Sequence, residues 1–387
     1  MGIKDQFLLR PDITFLNHGS FGACPKPVFE EYQNFQRLLE AEPIQFITKT
    51  GPEFLDTSKL ALANYLNCDK NDLVYVTNPT TSLNIVISNL DLQPGDEILS
   101  TDHEYGALDR TWNFYCKKTG AKYVRQHIPI PLKSHDQFIE EFWKGYSPKT
   151  KVVFISHLTS STSLIFPVKE ICEKAKELGL ITIVDGAHVP NHIPLDLSDI
   201  KADAYTGACH KWLLAPKGST FLYVNKDLQR SMDPLIVSWG YEAEFPSDSQ
   251  FQDYHQYQGT RDFSAFLTTP ACLTFLQENN WEERKGLCRS QLQDYYPIVA
   301  KELDTNPICP LNDQYLGQIC SIPIKVKNPI ELKQLLYDKY KIEIPVFANP
   351  DGRRFLRISF QAYNGVEEIE ILINALRDIK KRENLIE

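Results

Sequence analysis

No two cysteines in this sequence form a C-x-x-C pair, no apolar run approaches the length of a membrane span, and no tract of lysine and arginine dominates its surroundings. Each absence removes a class of protein. Nine scattered cysteines, an odd number, suit reduced thiols in a cytoplasm better than a disulfide framework or a zinc ribbon. The opening stretch, MGIKDQFLLRPDITFLNHGS, has no continuous apolar core of the kind a signal peptide needs, and Gln6 stands where myristoylation of Gly2 would want Ser or Thr. With 41 Lys and Arg against 50 Asp and Glu, the net charge of −9 argues against a phosphate-backbone surface. Internal repeats and low-complexity tracts are also missing. The expectation is a soluble, cytoplasmic protein that takes a small-molecule partner and binds neither nucleic acid nor membrane.

What is there is a chain of 387 residues, 42% hydrophobic, long enough for a large core and longer than one ordinary domain. Strand-like and helix-like segments alternate. LVYVT (73–77) precedes the helical TTSLNIVISNL; DEILST precedes the helical GALDRTWNFYCKKTG, which closes on Gly120; KVVFISH (151–157) precedes VKEICEKAKELG, which closes on Gly179, and then comes the apolar run LITIVDGAH (180–188). Helices stopped by glycine and strands rich in Val and Ile without alternation predict a parallel sheet covered on both faces. Beyond about residue 265 the pattern changes to a helix in LTTPACLTFLQENNWEERKG, a strand in GQICSIPIKV, a helix in PIELKQLLYDKY and a strand in RRFLRISF. The expected division is an N-terminal segment, 1–30, that joins a small α+β domain, 266–387, and a large α/β domain, 31–265, between them.

In open parallel sheets ligands gather beyond the carboxyl ends of the strands, and three features fall there. Asp185 follows LITIV directly, with His188 three residues on; alone, such an aspartate reads equally well as a turn cap. A zinc site in DGAHVPNH is disfavoured, because Pro190 interrupts any helix that would align His188 with His192, and no metal is expected. Thr80 and Thr81, in VTNPTTSLN, open a helix whose N-terminus would face an anion, though an ordinary N-cap explains the stretch as well. Lys211 lies between His210 and Trp212 in an apolar, aromatic setting. Together an acid, a phosphate seat and a lysine are what pyridoxal 5′-phosphate requires: an amine to condense with its aldehyde, a carboxylate to keep its ring nitrogen protonated, and a seat for its phosphate.

The ordered set TNPTTSLN, DHEYGA, SHLTSSTS, VDGAH, ACHKW, GTRD and RISFQAYN resembles the fold type I, class V aminotransferase family over nearly the whole chain. CHKWLLAPKG and LNHGSFG are most similar to its isopenicillin N epimerase-like branch, which includes carbon–sulfur lyases acting on cystine or hercynylcysteine sulfoxide. The resemblance implies an aspartate aminotransferase-like large domain, with a mainly parallel seven-stranded sheet, and a small α+β domain. It makes Lys211 the cofactor-bound lysine and the base at the substrate Cα, Asp185 the pyridinium partner and His188 its neighbour near the ring. Thr80, Thr81 and His210 match phosphate contacts. Gly259 and Thr260 match a loop that reaches the phosphate of a neighbouring subunit, which implies a homodimer with shared active sites. Tyr105 fits the aromatic that stacks on the cofactor, with His103 the alternative and core packing the bland explanation. Arg357 matches the clamp for the substrate α-carboxylate, and Asn17 and His18 are expected to fold over the substrate.

Two departures stand out. Thr159 and Ser160 occupy the place where relatives often carry an asparagine on the cofactor's 3′-oxygen, so Ser160 inherits that contact. The loop PVFANPDGRR before Arg357 has no cysteine, which opposes a persulfide-forming desulfurase. The expected activity is β-elimination of a thiolate or sulfenate from a cysteine-derived L-amino acid, with epimerisation and transamination as alternatives on the same scaffold. A non-catalytic binding protein of this fold is opposed by the joint presence of Lys211, Asp185 and Arg357.

Overall fold

The apolar runs become twelve strands: β1 (Thr14–Phe15), β2 (Leu73–Val76), β3 (Glu97–Thr101), β4 (Lys122–Gln126), β5 (Thr150–Ser156), β6 (Ile181–Asp185), β7 (Ala204–Ala208), β8 (Thr220–Val224), β9 (Ile319–Pro323), β10 (Ile342–Glu343), β11 (Val346–Ala348) and β12 (Arg354–Ser359). They come from a computed structural model that describes residues 2–383, 385 and 386. Seven form one sheet in the order β2-β8-β7-β6-β5-β3-β4. All run parallel except β8, which is antiparallel to both its neighbours. The sheet is buried on both faces, as its unalternating sequences predict. Along β5, Val152 and Phe154 enter one apolar cluster, whereas Val153 and Ile155 enter the other.

The helices that cover the sheet stop where the sequence says they should. Gly120 (φ 82°) closes the helix Gly106–Thr119 and Gly179 (φ 69°) follows the helix Val168–Glu177, both in the left-handed region that an added Cβ would penalise. One expected helix is two. The stretch read as a single helix in LTTPACLTFLQENNWEERKG breaks at Asn280, whose φ of 48° ends Thr269–Glu278 and starts Trp281–Glu302 on a new axis.

β9, β11 and β12 make a small antiparallel sheet, ordered β11-β12-β9. The N-terminal segment is tied to the same region: β1 pairs with β10, and Asn17 bridges to Ser359. A Cβ on Gly22 (φ 70°) would run into the carbonyl of His210 and the Cα of Lys211, so this segment lies directly on the backbone of the singled-out lysine. Among the described residues no helix is long and apolar enough to cross a membrane, all nine cysteines are free, and no group of acidic, histidine and cysteine side chains could hold a metal.

Candidate active site

Parallel strands carry their carboxyl ends to one edge of the sheet, and the chain leaving β2, β3, β5, β6 and β7 there lines a cavity of about 250 Å³. Lys211 and His210 follow β7, Asp185 ends β6 with His188 in the turn beyond, and Thr80 follows β2. Tyr105 arrives after β3 and Ser160 after β5; Arg357, on β12, closes the far wall.

Lys211 is half-buried in the cavity wall. Burial lowers its amine to about 8, with Asp185 opposing that shift. Its Nζ lies 3.2 Å from His188 Nε2, and the indole N–H of Trp212 points at His188 Nδ1 from 3.4 Å. An indole can only donate, so Nδ1 accepts and Nε2 carries the ring proton. Burial holds His188 neutral by driving it well below its ordinary value. The imidazole therefore donates to Lys211, and a neutral amine is the form that can accept.

Asp185 takes one hydrogen bond among the described residues, from the Ala187 N–H to Oδ1 at 2.9 Å, and burial raises its carboxyl. Its second oxygen is left for a donor inside the cavity. Arg357 is likewise half committed. Nη1 donates to Ser160 O at 2.8 Å and to Ser160 Oγ at 3.2 Å, and Nη2 donates to Ser20 Oγ at 2.9 Å, while Nε is buried without a partner. An orphaned buried guanidinium donor calls for an anion.

The helix Pro79–Ser88 starts at the cavity wall. Asn78 caps it by accepting from the Thr81 N–H at 2.8 Å, and Pro79 has no N–H to give. Of the two threonines, Thr81 thus has its amide and hydroxyl engaged with Asn78, and Thr80 keeps its N–H free. His210 donates from Nδ1 to Ser219 O at 2.9 Å, which leaves Nε2 for the cavity.

The structure places the remaining expected residues as follows in relation to the cavity. His18 does not reach the substrate space: it is fully buried, its Nε2–H donates to Lys211 O at 3.0 Å, and Nδ1 sits 2.8 Å from the Tyr363 hydroxyl. Asn17 works through Ser20, accepting its hydroxyl proton at 2.5 Å and so turning the Ser20 lone pairs towards Arg357. His103 is buried against Thr162 and Ile128 O, away from the cavity, whereas Tyr105 is 47% exposed and lines it. Thr159 is buried on Thr162 and Leu164, and Ser160 acts on Arg357. Gly259 lies in a separate cavity of about 700 Å³ beside Trp239 and Phe245, and Thr260 is exposed; neither lines the Lys211 cavity of its own chain.

Two residues were not singled out by the sequence. Ser20 sits inside LNHGSFG, and Glu104 sits beside Tyr105. Glu104 is buried, accepting from Thr101 Oγ1 at 2.7 Å and Ser156 Oγ at 2.5 Å, and burial lifts its carboxyl to about 8.

A coenzyme with an aldehyde, a ring nitrogen and a phosphate meets a complementary group for each in this cavity: the Lys211 amine, the unpaired Asp185 oxygen, and the Thr80 N–H with His210. The fold and this donor set define a pyridoxal-phosphate-dependent enzyme of fold type I. More narrowly, the chain belongs to the class V aminotransferase family, whose model matches residues 17–372. It is 32% identical to isopenicillin N epimerase of Amycolatopsis lactamdurans, over 98% of each chain. It is 25% identical to L-cysteine desulfhydrase of Arabidopsis thaliana, over 95% of this chain and 88% of the plant one. A solved structure of a C-DES variant with glycine covalently linked to its PLP cofactor superposes with a TM-score of 0.81 at 22% identity, covering 98% of this chain and all of that one. Pyridoxal 5′-phosphate is the cofactor.

Proposed function

We propose that this enzyme is a carbon–sulfur lyase that eliminates a thiol from Cβ of a cysteine-derived L-amino acid. The bound cofactor supplies an aldehyde that captures the substrate amine and a ring that draws electrons from Cα. Thr80 and His210 would hold its phosphate, and Asp185 would supply a negative charge for its ring nitrogen. Arg357, held in orientation by Ser160 and Ser20, binds the substrate carboxylate in a two-pronged grip. The Lys211 amine, lowered to about 8 by burial and held by the His188 N–H, takes the proton from Cα. Tyr105 hydroxyl donates a proton to the departing sulfur. The Cα–H and Cβ–S bonds break, a thiol leaves, and hydrolysis of the remainder gives pyruvate and ammonia.

One observation carries the choice of reaction: the cavity wall contains one lysine and no cysteine. An epimerase needs a second proton donor across the substrate from Lys211, and neither a second lysine nor a cysteine lines the cavity to serve as one. The desulfhydrase relative supports elimination. Epimerisation is the second reading, favoured by the higher identity to isopenicillin N epimerase. Incubation in deuterated water with cystine and cysteine conjugates, following pyruvate and Cα exchange together, separates the two. Elimination gives pyruvate with little label in recovered substrate; exchange and racemisation without pyruvate would reject the lyase.

The working unit is a cytoplasmic homodimer. Val237, Trp239 and Phe245 are 70%, 84% and 87% exposed, an apolar surface of the kind a second subunit covers. Trp239 and Phe245 share a cavity with Gly259, so the loop that would reach a neighbour's phosphate lies beside the surface that would bring the neighbour in.

A further inference from the structure

A second cavity adjoins the Lys211 cavity. The second encloses about 400 Å³, and Tyr105, Ser160 and Arg357 line both. An amino acid whose carboxylate is gripped by Arg357 stands where the two adjoin, and once the cofactor occupies the smaller space the larger is where a long side chain can go.

The chemistry of the second cavity is specific. Phe347, Ala348 and Pro350, from the segment leading into β12, give it an apolar wall suited to methylene or thioether carbons. The remaining walls are charged, carrying Asp102, Glu104 and Asp109 with Arg110, Arg125 and Arg357. Asp109 is paired with Arg125, whose Nη2 lies 3.2 Å from Oδ2. Asp102 is met by His127 at 2.7 Å and by Arg353 at 3.7 Å. Arg110 is in no ion pair among the described residues; its Nη1 donates to Gly106 O at 2.8 Å, and its other donors have no protein acceptor. Glu104, the third acid of this wall, is engaged with the hydroxyls of Thr101 and Ser156, which leaves Arg110 an exposed guanidinium with no ion-pair partner among the described residues.

We infer that the second cavity receives the side chain of a substrate several bonds longer than cysteine, ending in a carboxylate that Arg110 binds. The inference rests on the assignment of the first cavity to the cofactor and the α-carboxylate. It makes Arg110 a specificity-determining residue, since a planar fork of donors discriminates a carboxylate from a neutral or cationic terminus. L-cysteine itself would fill the first cavity and leave the second empty.

The test titrates the holoenzyme with L-cysteine and with S-(3-carboxypropyl)-, S-butyl- and S-(3-aminopropyl)-L-cysteine. Binding is read before turnover from the change in the cofactor's visible absorption on rapid mixing. The carboxypropyl and butyl ligands match in length and differ in charge. The carboxylate should bind about tenfold or more tighter than the butyl chain, the size of one charge-assisted hydrogen bond, with the aminopropyl ligand weakest. In Arg110→Gln the ratio between carboxylate and butyl ligands should fall to near one. Equal binding of the two in the wild type, tighter binding of the amine, or an unchanged ratio in the variant would each overturn the inference while leaving the amino-acid site standing. If no ligand, L-cysteine included, moves the absorption, the assignment of the first cavity fails and the inference falls with it.

Discussion

Glu104 is held between the hydroxyls of Thr101 and Ser156, and Ser156 is the β5 residue paired in register with Asp185. Burial lifts the Glu104 carboxyl from 4.5 to about 8, and the charge of Asp185 adds to that rise. Between those values the folded protein keeps a proton that the unfolded chain has released. The stability Glu104 contributes is therefore complete below 4.5 and declines as the pH rises to about 8. Glutamine has no such proton, so the stability of cofactor-free Glu104→Gln relative to wild type should improve steadily across this window. Urea denaturation at several pH values reads the difference, in which the titration of Lys211 is common to both proteins and cancels; a flat difference would mean that Glu104 is ionised when folded. The sequence showed Asp185 and Lys211 because each ends or follows an apolar strand, where a charged group has few structural reasons to be. Glu104 lay in the same quoted motif as Tyr105 and went unremarked, since an acid just before a helix is ordinarily a cap. Ser20 and Arg110 were equally hidden: a serine in a glycine-containing turn and an arginine on an exposed helix face are commonplace until the fold brings Arg357 to the one and a cavity to the other.

The helix Pro79–Ser88 shows how one element serves both stability and binding. Asn78 fixes its first turn by taking the Thr81 N–H, and Thr80, whose N–H has no partner among the described residues, lines the cavity where the phosphate is proposed to sit. Asn78→Ala should cost about 1 kcal/mol of stability, as loss of an N-cap does, and should also weaken retention of the cofactor. Chemical denaturation of the cofactor-free protein and a pyridoxal-phosphate binding titration check the two effects separately; a stability loss with unchanged affinity would limit Asn78 to capping. Element boundaries followed the punctuation closely where glycine supplied it, at Gly120 and Gly179. They were lost at Asn280, because asparagine in the left-handed region carries no mark that distinguishes it from asparagine on a helix. The reversed direction of β8 was also illegible. TFLYV is as apolar as its parallel neighbours, and what turns it round is the absence of a crossover helix in the short connection from β7, which instead carries Lys211.

At the scale of the whole molecule, the proposed homodimer with shared sites makes a prediction that a pair of independent subunits would not. Lys211→Ala removes the amine from a chain's own site, and a disabling substitution at Thr260 would act on the site of the other chain. Mixed after dissociation, two such inactive variants should recover about one quarter of the wild-type sites, since about half the dimers are hybrids and each hybrid carries one site free of both changes. Activity measured against mixing ratio reads this directly, and no recovery in a verified hybrid would place Thr260 in its own subunit's site or outside any. A further consequence follows from β1 pairing with β10 and from His18 holding both Lys211 O and the Tyr363 hydroxyl. His18 and Tyr363 stand 345 positions apart, and the backbone of the lysine is held where these distant segments meet. A central sheet formed without that closure still lacks a finished centre, so completing the reactive site falls to contacts between remote parts of the chain and not to the sheet that carries the lysine.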